Sequence, residues 1–215
     1  MNRSGRFYAA VLAAVVGLAG TRWQPAAAQA ASTAPSASPR PPVFPQLYPV
    51  TPEDVNFVTG MIAHHSQAIV MAKWAPTHGA SEDIQTLCSR IINAQTDEIA
   101  LMQRWLQDRH QPVPEAKPVP MKMMMNGVET EMLMPGMLTD EQMKQLDAAR
   151  GTDFDHLFLR FMIQHHRGAV QMVTDLFAAG AGQDEGVFKM ANDIQADQTT
   201  EINRMARMFL TMPGV

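Results

Sequence analysis

The chain is predicted to be all-α, an up-down four-helix bundle made from two duplicated helical hairpins with a long methionine-rich connection between them. Three observations lead there. Aromatics are scarce, at 7%, and methionine is plentiful, at 18 residues of 215, which favours helix over sheet. One stretch occurs twice, as Phe57–Ala72 (FVTGMIAHHSQAIVMA) and Phe158–Val173 (FLRFMIQHHRGAVQMV), at an offset of 101 residues. Each copy is followed by a second long segment whose apolar residues recur at three- and four-residue spacing.

Residues 1–30 read as a signal peptide. Arg3 and Arg6 supply a basic start, Phe7–Gly20 an apolar run, and Ala26-Ala27-Ala28 or Ala28-Gln29-Ala30 a cleavage site. The run is short for a membrane span, which leaves an uncleaved anchor as the lesser alternative. No cysteine stands at the end of it or at the cleavage site, so a lipoprotein anchor is not expected. Cleavage removes Arg3, Arg6 and Arg22 and no acid, taking the formal charge from -4 to -7. That balance mildly attracts cations. A secreted or periplasmic protein is expected, free of the membrane after cleavage.

Residues 31–50 are rich in Ala, Pro and Ser and read as a disordered tether. The bundle is expected over 51–215. Hairpin one covers 51–110. Its first helix opens at Thr51-Pro52-Glu53-Asp54, where threonine caps, proline occupies the first turn and two acids meet the positive helix end. This helix is expected to run to about Thr77, where Pro76 and Gly79 stop it. The second starts at Ser81-Glu82-Asp83 and ends near His110, before Pro112 and Pro114. The connection, 111–138, holds seven methionines between 121 and 137, and Asn126-Gly127 suits a short hairpin. Thr139-Asp140-Glu141-Gln142 opens a short helix over 139–150. Hairpin two covers 152–212. Its last helix repeats the line Ile91-x3-Gln95-x2-Glu98-Ile99-x2-Met102 as Ile194-x3-Gln198-x2-Glu201-Ile202-x2-Met205.

At about 100° per residue, Met61, His64, His65, Ala68 and Met71 share one helix face with Phe57, so the face points inward. Met162, His165, His166, Ala169 and Met172 repeat the arrangement. Thioether sulfur selects Cu(I) over zinc, calcium or magnesium, and imidazole suits copper. The eight side chains Met61, His64, His65, Met71, Met162, His165, His166 and Met172 are therefore the candidate metal ligands. Cu(I) is favoured, with Cu(II) and Ag(I) as alternatives. Glu98 and Glu201 occupy matching positions from which each can accept the second ring N–H of a ligating histidine. Met121, Met123, Met124, Met125, Met134 and Met137 are either an exposed auxiliary capture loop for Cu(I) or Ag(I), or an apolar flap over the bundle. Asp54 and Asp155 are read as caps, and His78, His110 and His156 as surface residues. Cys88, the single cysteine, is read as an inert buried thiol. It allows no intrachain disulfide, and the absence of a basic stripe argues against nucleic acid as a partner.

The pattern D-x2-F-x3-M-x2-HH-x2-A-x2-M runs from Asp54 to Met71 and again from Asp155 to Met172. Together with Met134-Pro135-Gly136-Met137, Thr139-Asp140-Glu141-Gln142-Met143 and Gln198-x2-Glu201-Ile202, it resembles domain-of-unknown-function family 305 (DUF305) over about residues 51–212. The resemblance implies a ferritin-like four-helix bundle exported from bacteria, in a family of which some members are implicated in periplasmic copper binding and resistance. The expected role is non-catalytic: sequestering Cu(I) or Ag(I), or handing it to another periplasmic copper carrier. Two other classes stand beside it. One is a metal-dependent oxidase of ferritin-like type, although the Glu-x-x-His of di-iron bundles reads Met61-x-x-His64 and Met162-x-x-His165 here. The other is a structural or partner-binding bundle whose core histidines respond to pH without metal.

Overall fold

The computed structural model describes residues 48–125 and 128–212. The expected signal peptide and residues 31–47 of the expected tether lie outside the described residues. The first helix, α1 (Pro52–Lys73), starts on the expected capping box: Asp54 N donates to Thr51 Oγ1 and Thr51 N to Asp54 Oδ2. It ends at Lys73, four residues before the expected Thr77. A proline ring at 76 clashes with the carbonyl one turn back, so the chain turns over Trp74–Gly79, with Thr77 N and His78 N both donating to Trp74 O.

The early stop corrects the reading of His78. The turn folds its ring inward, 5% exposed, stacked on Trp74 and tilted against Phe154, with Nε2 2.9 Å from Asp147 O. His110 is exposed and His156 half-buried against Phe209.

After α2 (Glu82–Asp108) the connection forms a small antiparallel hairpin, β1 (Met121–Met125) with β2 (Val128–Met132), Met121 opposite Met132. Its turn residues 126–127 lie outside the described residues. Then come α3 (Asp140–Ala148), opened by a Thr139–Gln142 capping box, α4 (Thr152–Ala178) and α5 (Glu185–Thr211). Asp184 caps α5 and is tied to α2 by Arg109 Nη2 at 2.7 Å and Trp105 Nε1 at 2.9 Å. Among the described residues no helix is long and apolar enough to cross a membrane.

The long helices pack as two hairpins, α1 with α2 and α4 with α5, joined face to face through α1 and α4. Two apolar clusters fill the interior. One joins Phe57, Met61 and Ile62 of α1 to Met172, Val173 and Leu176 of α4, with Ile99 and Met102 of α2 and Val187 and Ile194 of α5. The other joins Met71 and Ala72 of α1 to Phe154, Phe158 and Met162 of α4, with Ile84 and Leu87 of α2 and Met205 of α5. Each cluster thus combines the start of one copy with the end of the other, so α1 and α4 run antiparallel about an approximate twofold axis. The first-turn acids obey the same symmetry. Asp54 accepts from Gly182 N at 2.7 Å, ahead of α5, and Asp155 accepts from Ser81 N at 3.1 Å, ahead of α2. They are caps in part, and beyond that they lock the hairpins together.

The segment 134–138 breaks the symmetry. It crosses the α1–α4 face as a strap. Gln67 on α1 bonds both the N–H and the carbonyl of Leu138, at 2.7 and 3.0 Å. The matching residue on α4 is Gly168, and here the strap lies directly on the helix: a Cβ on Gly168 would fall 1.9 Å from Pro135 O. Gly136, at φ +77°, makes the turn that the close approach requires. Met134 and Met137 are 5% exposed and belong to the core. This corrects the expectation that those two residues lie in an exposed loop. Met121 is half-buried against the same core, and the side chains of Met123, Met124 and Met125 lie outside the described residues. Cys88 is 2% exposed, and burial pushes its thiol pKa up to about 12.

Candidate metal centre

The wheel reading requires both histidines of each pair to be buried, and all four are fully so. Adjacent residues on a helix point about 100° apart, so the pairs divide their roles. His64 and His165 meet across the α1–α4 seam with ring centroids 3.9 Å apart. His65 and His166 turn back into their own hairpins. There His65 Nε2 donates to Glu98 Oε2 at 2.7 Å and His166 Nε2 to Glu201 Oε2 at 2.5 Å. These carboxylates are partly exposed, 18% and 19%, and link the buried imidazoles to the surface.

The hydrogen bonds determine the tautomers. His64 Nε2 lies 2.9 Å from the Pro135 carbonyl. A carbonyl only accepts, so the proton sits on Nε2 and the lone pair on Nδ1. The glutamates impose the same tautomer on His65 and His166. The Nδ1 atoms of His64, His65, His165 and His166 are buried without a hydrogen-bond partner, as is Nε2 of His165. His165 is the twofold mate of His64, and the strap reaches only one of them. An orphaned buried acceptor costs about 1–3 kcal/mol, so lone pairs gathered like this suit a cation that accepts them.

Among the described residues no three His, Cys, Asp or Glu side chains form a group fit for a metal ion. Methionine side chains are the other soft donors buried on these two helix faces. The four methionines on the faces of α1 and α4 divide into two layers. Met61 and Met172 lie in one apolar cluster, Met71 and Met162 in the other. Along each helix the histidines therefore stand between a methionine of one cluster and a methionine of the other.

Gln95 and Gln198, which the sequence presents only as repeat echoes, are buried with orphaned amide atoms. They sit one turn before Glu98 and Glu201. A polar residue at an apolar-stripe position in both copies was the available signal. Between α2 and α5 a cleft of about 250 Å³ is lined by Glu98, Asp193 and Asp197 among others. Burial raises the Asp197 carboxyl pKa, and Glu98, Glu201 and Asp193 add to it. This concentration of negative charge favours cations.

Burial holds His64 neutral, its pKa lowered to about 3, with His65 contributing; His165 is pushed down by burial and then by His64. The sign follows from linkage. The unfolded chain takes up protons below about pH 6.5 that these two rings refuse. Their contribution to stability is full above 6.5 and is lost as pH falls. The metal-free protein should lose about 1.4 kcal/mol per pH unit for each such histidine. Urea unfolding at pH 7 and pH 5, on wild type and His64→Ala/His165→Ala, measures it. Equal losses in the two proteins would mean that the rings are not held neutral.

The sequence model described as "Domain of unknown function (DUF305)" matches residues 54–209. Among solved structures, a DUF305 protein from Streptomyces coelicolor, described as secreted, is 29% identical with a TM-score of 0.61, over 73% of this chain and 91% of that one. CopM in its Cu(I)-bound form is 28% identical with a TM-score of 0.57, over 75% and 98%. CopM also has Cu(II)-bound and Ag-bound structures of similar likeness. The uncharacterized protein L153 of Acanthamoeba polyphaga mimivirus is 39% identical over 57 residues, which is 26% of this chain and 38% of that protein.

Proposed function

The chain belongs to the DUF305 family, and on that footing we propose that it is an exported carrier or store of copper or silver, with the soft monovalent ion Cu(I) ahead of Ag(I) and of the divalent Cu(II). One observation carries the reading: four buried imidazoles with unpartnered Nδ1 atoms stand, along each helix, between a methionine of one cluster and a methionine of the other. Thioethers need no deprotonation, and burial keeps His64 and His165 uncharged, so that each retains a ring lone pair for a metal ion. Met61, Met71, Met162 and Met172 supply soft sulfur, while His64, His65, His165 and His166 supply nitrogen. Glu98 and Glu201 hold two of the rings in the tautomer that presents Nδ1.

The likeness to CopM supports metal as cargo, and the likeness to a protein described as secreted supports export. The reading is binding rather than turnover. Met61 and Met162 stand where a di-iron bundle has carboxylates, and Glu98 and Glu201 are engaged with histidine. A second periplasmic copper carrier is the partner such a role calls for.

The test is a Cu(I) competition titration against a chelator of known affinity. Wild type is expected to hold at least one tight Cu(I). In Glu98→Gln/Glu201→Gln the affinity should fall about 10- to 100-fold, the usual effect of removing an outer partner of a metal-bound histidine. Unchanged affinity would remove the glutamates from the site, and no tight Cu(I) in wild type would end the proposal.

A further inference from the structure

We infer that Met121, Met134 and Met172, gathered around Gly60, form a second soft-cation site made of thioethers alone, through which metal reaches His64. The inference rests on the reading above in taking the cargo to be a soft cation, and Met172 is common to both sites, so Met121 and Met134 distinguish the second.

Gly60 lies inside α1, where glycine is a poor helix former. Its lack of a side chain has a local use. A Cβ built there would lie 2.8 Å from Met121 Cε, 3.0 Å from Met134 Sδ and 3.5 Å from Met172 Cε. Thioether ends from β1, the strap and α4 thus meet in the space a side chain would fill. The twofold mate of Gly60 is Phe161, a large ring that is 2% exposed and belongs to the other apolar cluster. The methionine cluster is therefore no by-product of the duplication and exists on one face alone.

The same face opens to solvent. A groove of about 570 Å³ is lined by Met121, Met132, Met134 and Met172, with the acids Glu53 and Asp175 also in its wall. Met172 is 8% exposed, whereas its mate Met71 and all four histidines are 0% exposed. Gly60 precedes His64 by four residues, so the two share a stripe of α1 one turn apart, about 5–6 Å. Met134 adjoins Pro135, whose carbonyl holds His64 at 2.9 Å. The cluster therefore lies between the groove and the buried imidazoles. Neutral thioethers bind Cu(I) and Ag(I) in preference to zinc, magnesium or calcium, and the acids draw cations toward the groove.

Ag(I), which is redox-inert, is the probe. The purified protein, labelled with ¹³C at the methionine methyls, is titrated with silver while imidazole resonances report the histidine seam. The Met121, Met134 and Met172 methyls are expected to shift in wild type, and still to shift in His64→Ala/His165→Ala. Methyls unmoved in both proteins overturn the inference, whatever the imidazoles do. Methyls that move while the imidazoles never respond sink the histidine site and leave the thioether site standing. Met121→Leu/Met134→Leu, which nearly conserves volume and leaves Met172 in place, should bind one Ag(I) fewer and load the imidazoles at least about tenfold more slowly. Unchanged stoichiometry with unchanged loading rate would also refute the inference. The wild-type Met121 and Met134 methyl shifts decide the case if the double variant folds poorly.

Discussion

His64→Ala/His165→Ala is expected to lose more than about 100-fold in Cu(I) affinity, above the range seen when only an outer partner of a ligand is removed. These two rings, one from each copy, meet at 3.9 Å between centroids. Removing them leaves His65 and His166, which point into separate hairpins, and two thioether pairs in separate layers. No remaining nitrogen lies on the seam to bring the halves to one ion. Competition with a Cu(I) chelator measures the loss, and an unchanged dissociation constant would refute the site. The variant also removes orphaned buried nitrogens, each a cost of about 1–3 kcal/mol. Part of the cavity penalty of truncation is thereby offset, so the metal-free variant should remain folded, and circular dichroism checks this.

Gly168→Ala should be the most damaging single methyl addition. The new Cβ would stand 1.9 Å from Pro135 O, 2.3 Å from Pro135 C and 2.6 Å from Gly136 Cα. All three are backbone, so no side chain can swing aside. Either the strap lifts or α4 shifts, at about 2–4 kcal/mol by analogy with overpacked cores and strained turns. For a domain of this size that lowers Tm by about 4–16 °C. A lifted strap also takes the Pro135 carbonyl from His64 and the Leu138 backbone from Gln67. Thermal melts measure the first effect, and the Nε2–H resonance of His64 the second. A melt within a degree of wild type would mean that the strap is not seated on the helix.

The parts of this fold that were legible are those written in local chemistry or in repetition. Thr51 and Thr139 with their acids and amides set helix starts to within a residue, because caps act over four residues. The doubled His-His face was legible because two copies reported one periodicity. The division of Met61 and Met172 from Met71 and Met162 was not. A helical wheel gives the direction of a side chain around its own axis but not its height against an antiparallel neighbour. Residues that differ between the copies were equally silent. Gly60 opposite Phe161, and Gln67 opposite Gly168, look like ordinary divergence until the path of the strap shows that one face carries it and the other does not. His78 was misread because one proline shortened α1 by a turn, and a residue that far along the chain then faced inward.

The paired ties of Asp54 to Gly182 and Asp155 to Ser81 carry a consequence for how such a protein is assembled. Each donor precedes the second helix of one hairpin, and each acceptor opens the first helix of the other. That is the bonding pattern of an isologous contact, in which residue i meets j and j meets i across a dyad. Two identical hairpins could make this interface without any covalent link. The single polypeptide thus has the architecture of a homodimer whose subunits share one chain. A single chain permits unlike halves, since a strap drawn across one side of a true dimer would appear on both.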